Sequence, residues 1–317
     1  MKFTAAKEAY LKFCNATGKS AATISSYTAT LEKFSAFLTT EGIEAIENVK
    51  PMTVMGYIES RSAEISATSL NLELTHIRCF FSWAEDMEIV DHSPVKKSIK
   101  VEKSALREAQ NKEYEGIITD KEFRNILRND HPANTHKVQY TRNTALLMVF
   151  LTTGLRNESV RELRVSDVDF SSRRIRVSAA KGNKSGYAPL TDIAAQAVES
   201  YLADHPTLTG NDYLFGFEKN GEWCPFSRQQ MSNTVEAAIK SYLPERPGIR
   251  SHALRHSFAS ILANHGMEDR EISLLLFHSD GTGAAVTRRY ISDDLSWLFD
   301  KVNSVFNKVA RKGIAAA

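Results

Sequence analysis

Apolar side chains recur at helical spacing through residues 4–92, where nothing predicts a strand. Between Ser20 and Leu38 they fall at Ile24, Tyr27, Leu31, Phe34 and Phe37. From Ser66 to Ile89 the buried side is expected from Leu70, Leu72, Ile77, Phe80, Phe81 and Trp83. Pro51 to Ile58 predicts a further helix, with proline in the first turn, where its missing N–H costs nothing. A helical bundle is the plain reading of this pattern; a helical domain that grips DNA is the functional one.

Ser93-Pro94-Val95 closes the helical pattern. A connector follows, with Lys96, Lys97, Lys100, Lys103, Arg107 and Lys112 against Glu102 and Glu108. Such a stretch is either simply solvated or able to follow a phosphate backbone. The pattern resumes near Gly116, with Thr119 as the expected N-cap of a helix from Lys121 toward Arg128. Arg142 to Thr152 predicts a deeply buried helix, stopped at Thr153-Gly154-Leu155-Arg156, where Gly154 can supply a left-handed turn. A cation placed there needs an anion, either a ligand or Glu158 or Asp167.

Short strands are expected at Val168–Phe170, Arg174–Val177 and Tyr187–Leu190, with a glycine-rich turn, Lys181 to Gly186, between the last two. A helix after Asp192 and the Tyr213-Leu214-Phe215 segment read as scaffold. The final apolar stripe, Leu295, Leu298, Val302, Val305, Phe306 and Val309, predicts a helix that packs on its own domain or on a neighbouring copy.

The densest chemistry lies between Ser251 and Tyr290. His252 and Arg255 are three apart and share a helical face. Ser251 is the expected N-cap, so both would sit near a helix start, where free N–H groups and the dipole favour an anion such as phosphate. Tyr290 is an unusual nucleophile, since ionising a phenol of pKa about 10 at neutral pH costs about 4 kcal/mol. A site that used it would have to gather cations from elsewhere in the chain. Arg156 is the first candidate, and Lys181 on its turn is another.

At 317 residues, two domains with separate cores are expected. The net charge of +2 says little about nucleic acid, so the distribution of charge must carry that argument. Cys14, Cys79 and Cys224 are scattered, with no CxxC pair, which fits free thiols in a reducing compartment. The N-terminus lacks the apolar core of a signal peptide, and the run from Ala145 to Leu151 is too short to cross a bilayer. A cytoplasmic protein without membrane contact is expected. His252 and His256 have the spacing of an HExxH site, but Ala253 replaces the glutamate, so no metal is expected and His256 reads as a buried structural histidine. Gly216 and Gly221 have P-loop spacing but are followed by Glu222-Trp223, so no nucleotide cofactor is expected either.

Taken in order, these residues resemble the tyrosine recombinase (phage integrase) family. Thr153-Gly154-Leu155-Arg156 with Glu162-Leu163 resembles its first-arginine box, and Ala180-Lys181-Gly182 its hairpin lysine. His252-Ala253-Leu254-Arg255-His256 is similar to the HxLRH box, Leu276-Phe277-His278 to the second-histidine box, and Thr287-Arg288-Arg289-Tyr290 to the nucleophile box. The resemblance implies a mainly α chain of Xer-like layout. Residues 1–95 would form a helical core-binding (SAM-like) domain and 96–115 a basic linker. Residues 116–317 would form an α+β catalytic domain with a small antiparallel sheet and a C-terminal partner-docking helix.

It also implies site-specific cutting and rejoining of DNA through a 3′-phosphotyrosyl intermediate at Tyr290. Arg156, Lys181, His252, Arg255 and His278 would complete the catalytic set. The implied partners are a double-stranded recombination site and further copies of the chain, a dimer on a site and a tetramer in the synapse. Three features depart from the family pattern: Ser159 stands where an acid is usual, with Glu158 one residue earlier; Phe277 replaces a common glycine; and the stretch between His278 and Tyr290 is longer. The competing functions are a type IB topoisomerase and a DNA-binding protein that does not cut.

Overall fold

The computed structural model describes residues 1–102, 104–106, 116–128, 137–178, 186–246, 248–277 and 295–311. Lys181, His278 and Tyr290 lie outside the described residues. The chain divides into two compact units, Met1–Lys112 and Glu113–Ala317.

The first unit is helical: α1 (Phe3–Ala16), α2 (Ala21–Thr40), α3 (Pro51–Ser62) and α4 (Ala67–Asp86). Ser20 and Ser66 cap α2 and α4 by accepting hydrogen bonds from the Thr23 and Ser69 amides, and Pro51 opens α3. Phe3, Phe34, Phe80, Phe81 and Tyr57 meet edge to face in the core. Leu72 was expected on the buried side but is exposed; two residues from Leu70, it is rotated by about 200° on the helix and points away. Buried Glu73 accepts from Lys33 Nζ (2.8 Å), Tyr57 Oη (2.8 Å) and the Arg61 guanidinium (3.1 Å), a polar knot joining α2, α3 and α4. Val95 and Ile99 join the same core, where Arg78 donates to the Ile99 carbonyl at 2.8 Å.

In the second unit, α5 (Asp120–Arg128) begins at a reciprocal cap in which Thr119 Oγ1 accepts from the Glu122 amide and Glu122 accepts from the Thr119 amide. The central helix α6 (Lys137–Thr153) buries Ala145 to Leu151 completely and ends at Gly154, whose φ is 63°. A short helix α7 (Asn157–Arg161) follows, and then a three-stranded antiparallel sheet in the order β1 (Val168–Asp169), β2 (Arg174–Val177), β3 (Gly186–Pro189). Ile175 pairs with Val168 on one side and with Ala188 on the other.

Helix α8 (Asp192–Ala203) leads to a second hairpin, β4 (Gly216–Lys219) with β5 (Glu222–Pro225), and to α9 (Arg228–Tyr242), capped by Ser227 and Gln230. The sequence reading anticipated neither. The chain continues through α10 (Ser251–Asn264) and α11 (Asp269–Leu275) to α12 (Ser296–Arg311). The apolar stripe of α12 is buried in its own unit, with Phe306 against the rings of Phe123 and Phe258. The fold is mainly α, with a helical first domain and an α+β second domain carrying small antiparallel sheets.

Candidate active site

Three of the six expected site residues, Arg156, His252 and Arg255, are described, and all stand at the junction of α7 with α10. Arg156 is the N-cap residue of α7, with an exposed side chain. Neither carboxylate considered for it is free. Glu158 pairs with Arg161 at 2.6 Å, and Asp167 is held by Arg176 at 2.8 Å. Among the described residues Arg156 makes no ion pair. The off-register Glu158 therefore serves Arg161 instead of the first arginine.

Helix α10 does not start as expected. Ser251 is its first helical residue, and the cap position belongs to Arg250, which offers no side-chain cap. Ser251 Oγ turns inward and accepts from Asn157 Nδ2 at 3.0 Å, and Asn157 Nδ2 also donates to Ser232 Oγ at 3.2 Å. One amide thus ties the starts of α7, α9 and α10, and it joins residues directly next to Arg156 and His252. Sequence reasoning missed Asn157, although a buried-side amide beside a candidate site arginine was a signal worth weighing. His252 is exposed, and its ring meets His256 edge to face at 4.7 Å. His256, expected to be buried, is half-buried because it lies on the same flank of the helix, one turn on.

Arg255 lies beneath them, 5% exposed. Its Nη1 donates to the Gly154 carbonyl (2.7 Å) and its Nη2 to the Leu276 carbonyl (2.5 Å). Those contacts span the first-arginine segment and the segment that runs into His278. Burial, and then the nearby charge of Arg156, pull its pKa down to about 10. The side chain is still cationic at neutral pH, held by two carbonyl dipoles and no carboxylate among the described residues. A buried guanidinium of this kind is an incomplete ion pair that an entering anion would complete. The start of α10 adds backbone N–H groups on the same side.

Gly154 is needed for this geometry. Its φ is positive, and a methyl group there would collide with Phe258 and come within 2.8 Å of Leu276 Cδ2. Phe277 has φ of 52° at a position where the family commonly uses glycine, a conformation that costs a bulky residue about 1–2 kcal/mol. Among the described residues no group of His, Cys, Asp and Glu could hold a metal ion.

A buried arginine stands beside an exposed one, at the start of a helix in an α+β domain that follows a helical domain. Comparison with known proteins gives the chain a family. The phage integrase family matches residues 117–295, and the phage integrase N-terminal SAM-like domain matches residues 8–88. A tyrosine recombinase of Pseudothermotoga lettingae is 26% identical over 294 residues, covering 90% of this chain and 92% of its own. Tyrosine recombinase XerD of Staphylococcus saprophyticus is 27% identical over 280 residues, covering 86% and 90%. In fold, the chain is similar to XerH site-specific recombinase bound to palindromic difH substrate (TM-score 0.69, 17% identity, 90% of this chain and 82% of that one). It is also similar to a lambda integrase dimer bound to a COC′ core site (TM-score 0.65, 16% identity, 88% and 96%). The chain belongs to the phage integrase family.

Proposed function

We propose that the junction of α7 and α10 holds the phosphate at which this site-specific DNA recombinase breaks and rejoins strands. The observation that carries the reading is Arg255, a buried cation whose partners among the described residues are backbone carbonyls, placed beside Arg156. Arg156 and Arg255 grip the non-bridging oxygens, offering permanent charge and forked donors. Tyr290 attacks phosphorus, forming the 3′-phosphotyrosyl bond as the bond to the 5′-oxygen breaks. Lys181 gives that oxygen its proton, His252 helps move the proton of the tyrosine, and His278 donates a hydrogen bond to the phosphoryl group. One phosphodiester replaces another, so the cycle needs no external energy source.

The substrate is a double-stranded recombination site. We assign residues 1–95 to gripping it, 96–115 to a basic linker and 116–317 to catalysis, with copies of the chain working as a dimer on a site and a tetramer in the synapse. Related structures include a lambda integrase dimer bound to a COC′ core site and a lambda integrase tetramer bound to a Holliday junction. Docking α12 on a neighbouring copy would exchange its present contacts for equivalent ones there. Among the described residues no helix is long and apolar enough to cross a membrane, and action in the cytoplasm suits the expected free thiols and DNA substrate.

Sequencing of DNA trapped covalently on the protein would identify the site. A nicked suicide duplex carrying it should then accumulate a protein–DNA adduct with the wild type and none with Tyr290→Phe. Adduct formation by the phenylalanine variant would refute the assignment. Relaxation of supercoiled plasmids without site preference would favour a topoisomerase instead.

A further inference from the structure

Asn157 is the first residue of α7, and its amide serves two other helices. Nδ2 donates to Ser251 Oγ on α10 at 3.0 Å and to Ser232 Oγ on α9 at 3.2 Å. Both of its N–H groups are thereby used. Oδ1 is also buried, and it has no hydrogen-bond partner among the described residues. A buried carbonyl oxygen left unpaired costs stability that an apolar side chain would not. Stability alone is therefore a poor reason for an amide here. The carboxylates of the same turn do not replace it, because Glu158 and Glu162 both pair with Arg161.

The contact with Ser251 points inward at both helix starts, and the residues beside it face outward. Successive helical residues are rotated by about 100°, so Ser251 is buried while His252 is exposed. Arg156, the cap residue before Asn157, is exposed as well. Helix α7 has only five residues, too few to hold an orientation by itself. Two contacts flank Arg156 instead: the Gly154 carbonyl, held by Arg255, lies two residues before it, and Asn157 lies one residue after. Both end on α10.

We propose that Asn157 is a positioning residue for the phosphate grip: its amide sets the start of α7 against the start of α10, so that Arg156 meets the phosphate in register with His252 and Arg255. The proposal rests on the roles given to those three residues above. Affinity for DNA is shared among many phosphate contacts, whereas the rate depends on alignment at one of them. Losing the amide should therefore slow strand cleavage far more than it weakens binding. An amide that only stabilised the fold would lower the folded fraction and leave the rate of the folded molecules unchanged.

The test is the single-turnover rate of adduct formation on the suicide duplex, with protein in excess. Asn157→Ala should react at least about tenfold more slowly. On the Tyr290→Phe background, where no strand is cut, the same change should leave affinity for the site within about threefold. Ser251→Ala keeps Asn157 but removes its acceptor on α10; it should slow the reaction similarly and add little to Asn157→Ala. Because the amide acts by aiming Arg156, Asn157→Ala should also add little to Arg156→Ala. Thr119→Ala, which removes the cap of α5 and touches neither helix start, should react at the wild-type rate. An unchanged rate in Asn157→Ala, or a loss that multiplies in full with that of Arg156→Ala, would overturn the proposal. If the wild type forms no adduct with its site, the strand-transfer reading falls, and sulfate then decides the placement of Arg156. Asn157→Ala should gain no more in melting temperature from sulfate at pH 7 than Arg156→Ala does; a gain equal to that of the wild type would overturn the proposal.

Discussion

Arg255 Nη1 donates a 2.7 Å hydrogen bond to the carbonyl of Gly154, two residues before Arg156. The buried guanidinium thereby fixes the segment that presents the exposed one. Its pKa of about 10 is below its ordinary value, so the fold opposes its charged form. Stability is therefore withheld at pH below about 10 and regained as pH rises toward the ordinary arginine range. An anion beside Arg255 would offset part of that deficit.

Sulfate should accordingly raise the melting temperature of the wild type more than that of Arg156→Ala at pH 7. At ten times its dissociation constant, a bound anion is worth about 1.4 kcal/mol. Sulfate also strengthens apolar burial generally, and the variant corrects for that. Differential scanning fluorimetry across a sulfate series would decide it, and equal rises in the two proteins would dispose of the anion site.

Gly154→Ala combines a left-handed residue with a collision against Phe258 and Leu276. A loss of about 2–4 kcal/mol is expected, with impaired adduct formation because the Arg255 acceptor and Arg156 both shift. Gly266→Ala is the comparison. Its φ is 84°, but nothing lies within 4 Å of the added methyl, so only strain of about 1 kcal/mol is expected. Urea denaturation of the two variants separates the effects; equal losses would mean that the collision is relieved at no cost.

Helix positions were legible wherever one local rule sufficed. The runs beginning at Ser20 and Ser66 are helices, Thr119 is a cap as read, and Gly154 ends α6 by the turn expected of it. The β4–β5 hairpin carries its own signal in Asn220-Gly221, both at positive φ in the turn. Ser251 misled because a serine before a helical run satisfies the cap rule, but here Asn157, far away in sequence, claims its hydroxyl. The partners of Arg255 were invisible for a deeper reason. They are backbone carbonyls, which every residue has, so no side-chain pattern marks them.

Glu73 illustrates pH dependence in the first unit. Burial alone would raise its pKa, but hydrogen bonds from Arg61, Lys33 and Tyr57 outweigh it and bring the value down to about 2. The folded value is depressed, so this stability is present above the ordinary carboxylate range and lost as pH falls from about 5 through about 2. Glu73→Gln should cost about 2–3 kcal/mol at pH 7, with the gap from wild type narrowing toward pH 3. Parallel stability curves across that range would show that the carboxylate charge contributes nothing.

The last helix, α12, is held by Asp192 as well as by its apolar stripe. Asn303 and Asn307 each donate to Asp192 Oδ2 at 2.9 Å, the Asp192 amide donates to Asn303 Oδ1 at 2.8 Å, and Arg173 pairs with Oδ1 at 2.9 Å. Lys301 adds a 2.6 Å pair to Glu271 on α11. Polar latches of this kind orient a helix whose apolar stripe supplies most of the attachment, so they can be removed without unfolding the domain. Asp192→Ala strands two amide donors and should cost about 1–2 kcal/mol, registered first as faster amide hydrogen exchange in residues 296–311. If docking on a neighbour competes with this arrangement, the variant should also assemble on DNA at lower protein concentration, read by native mass spectrometry with the recombination site. Unchanged exchange in α12 would mean that the stripe alone holds the helix and that the latch has no part in its release.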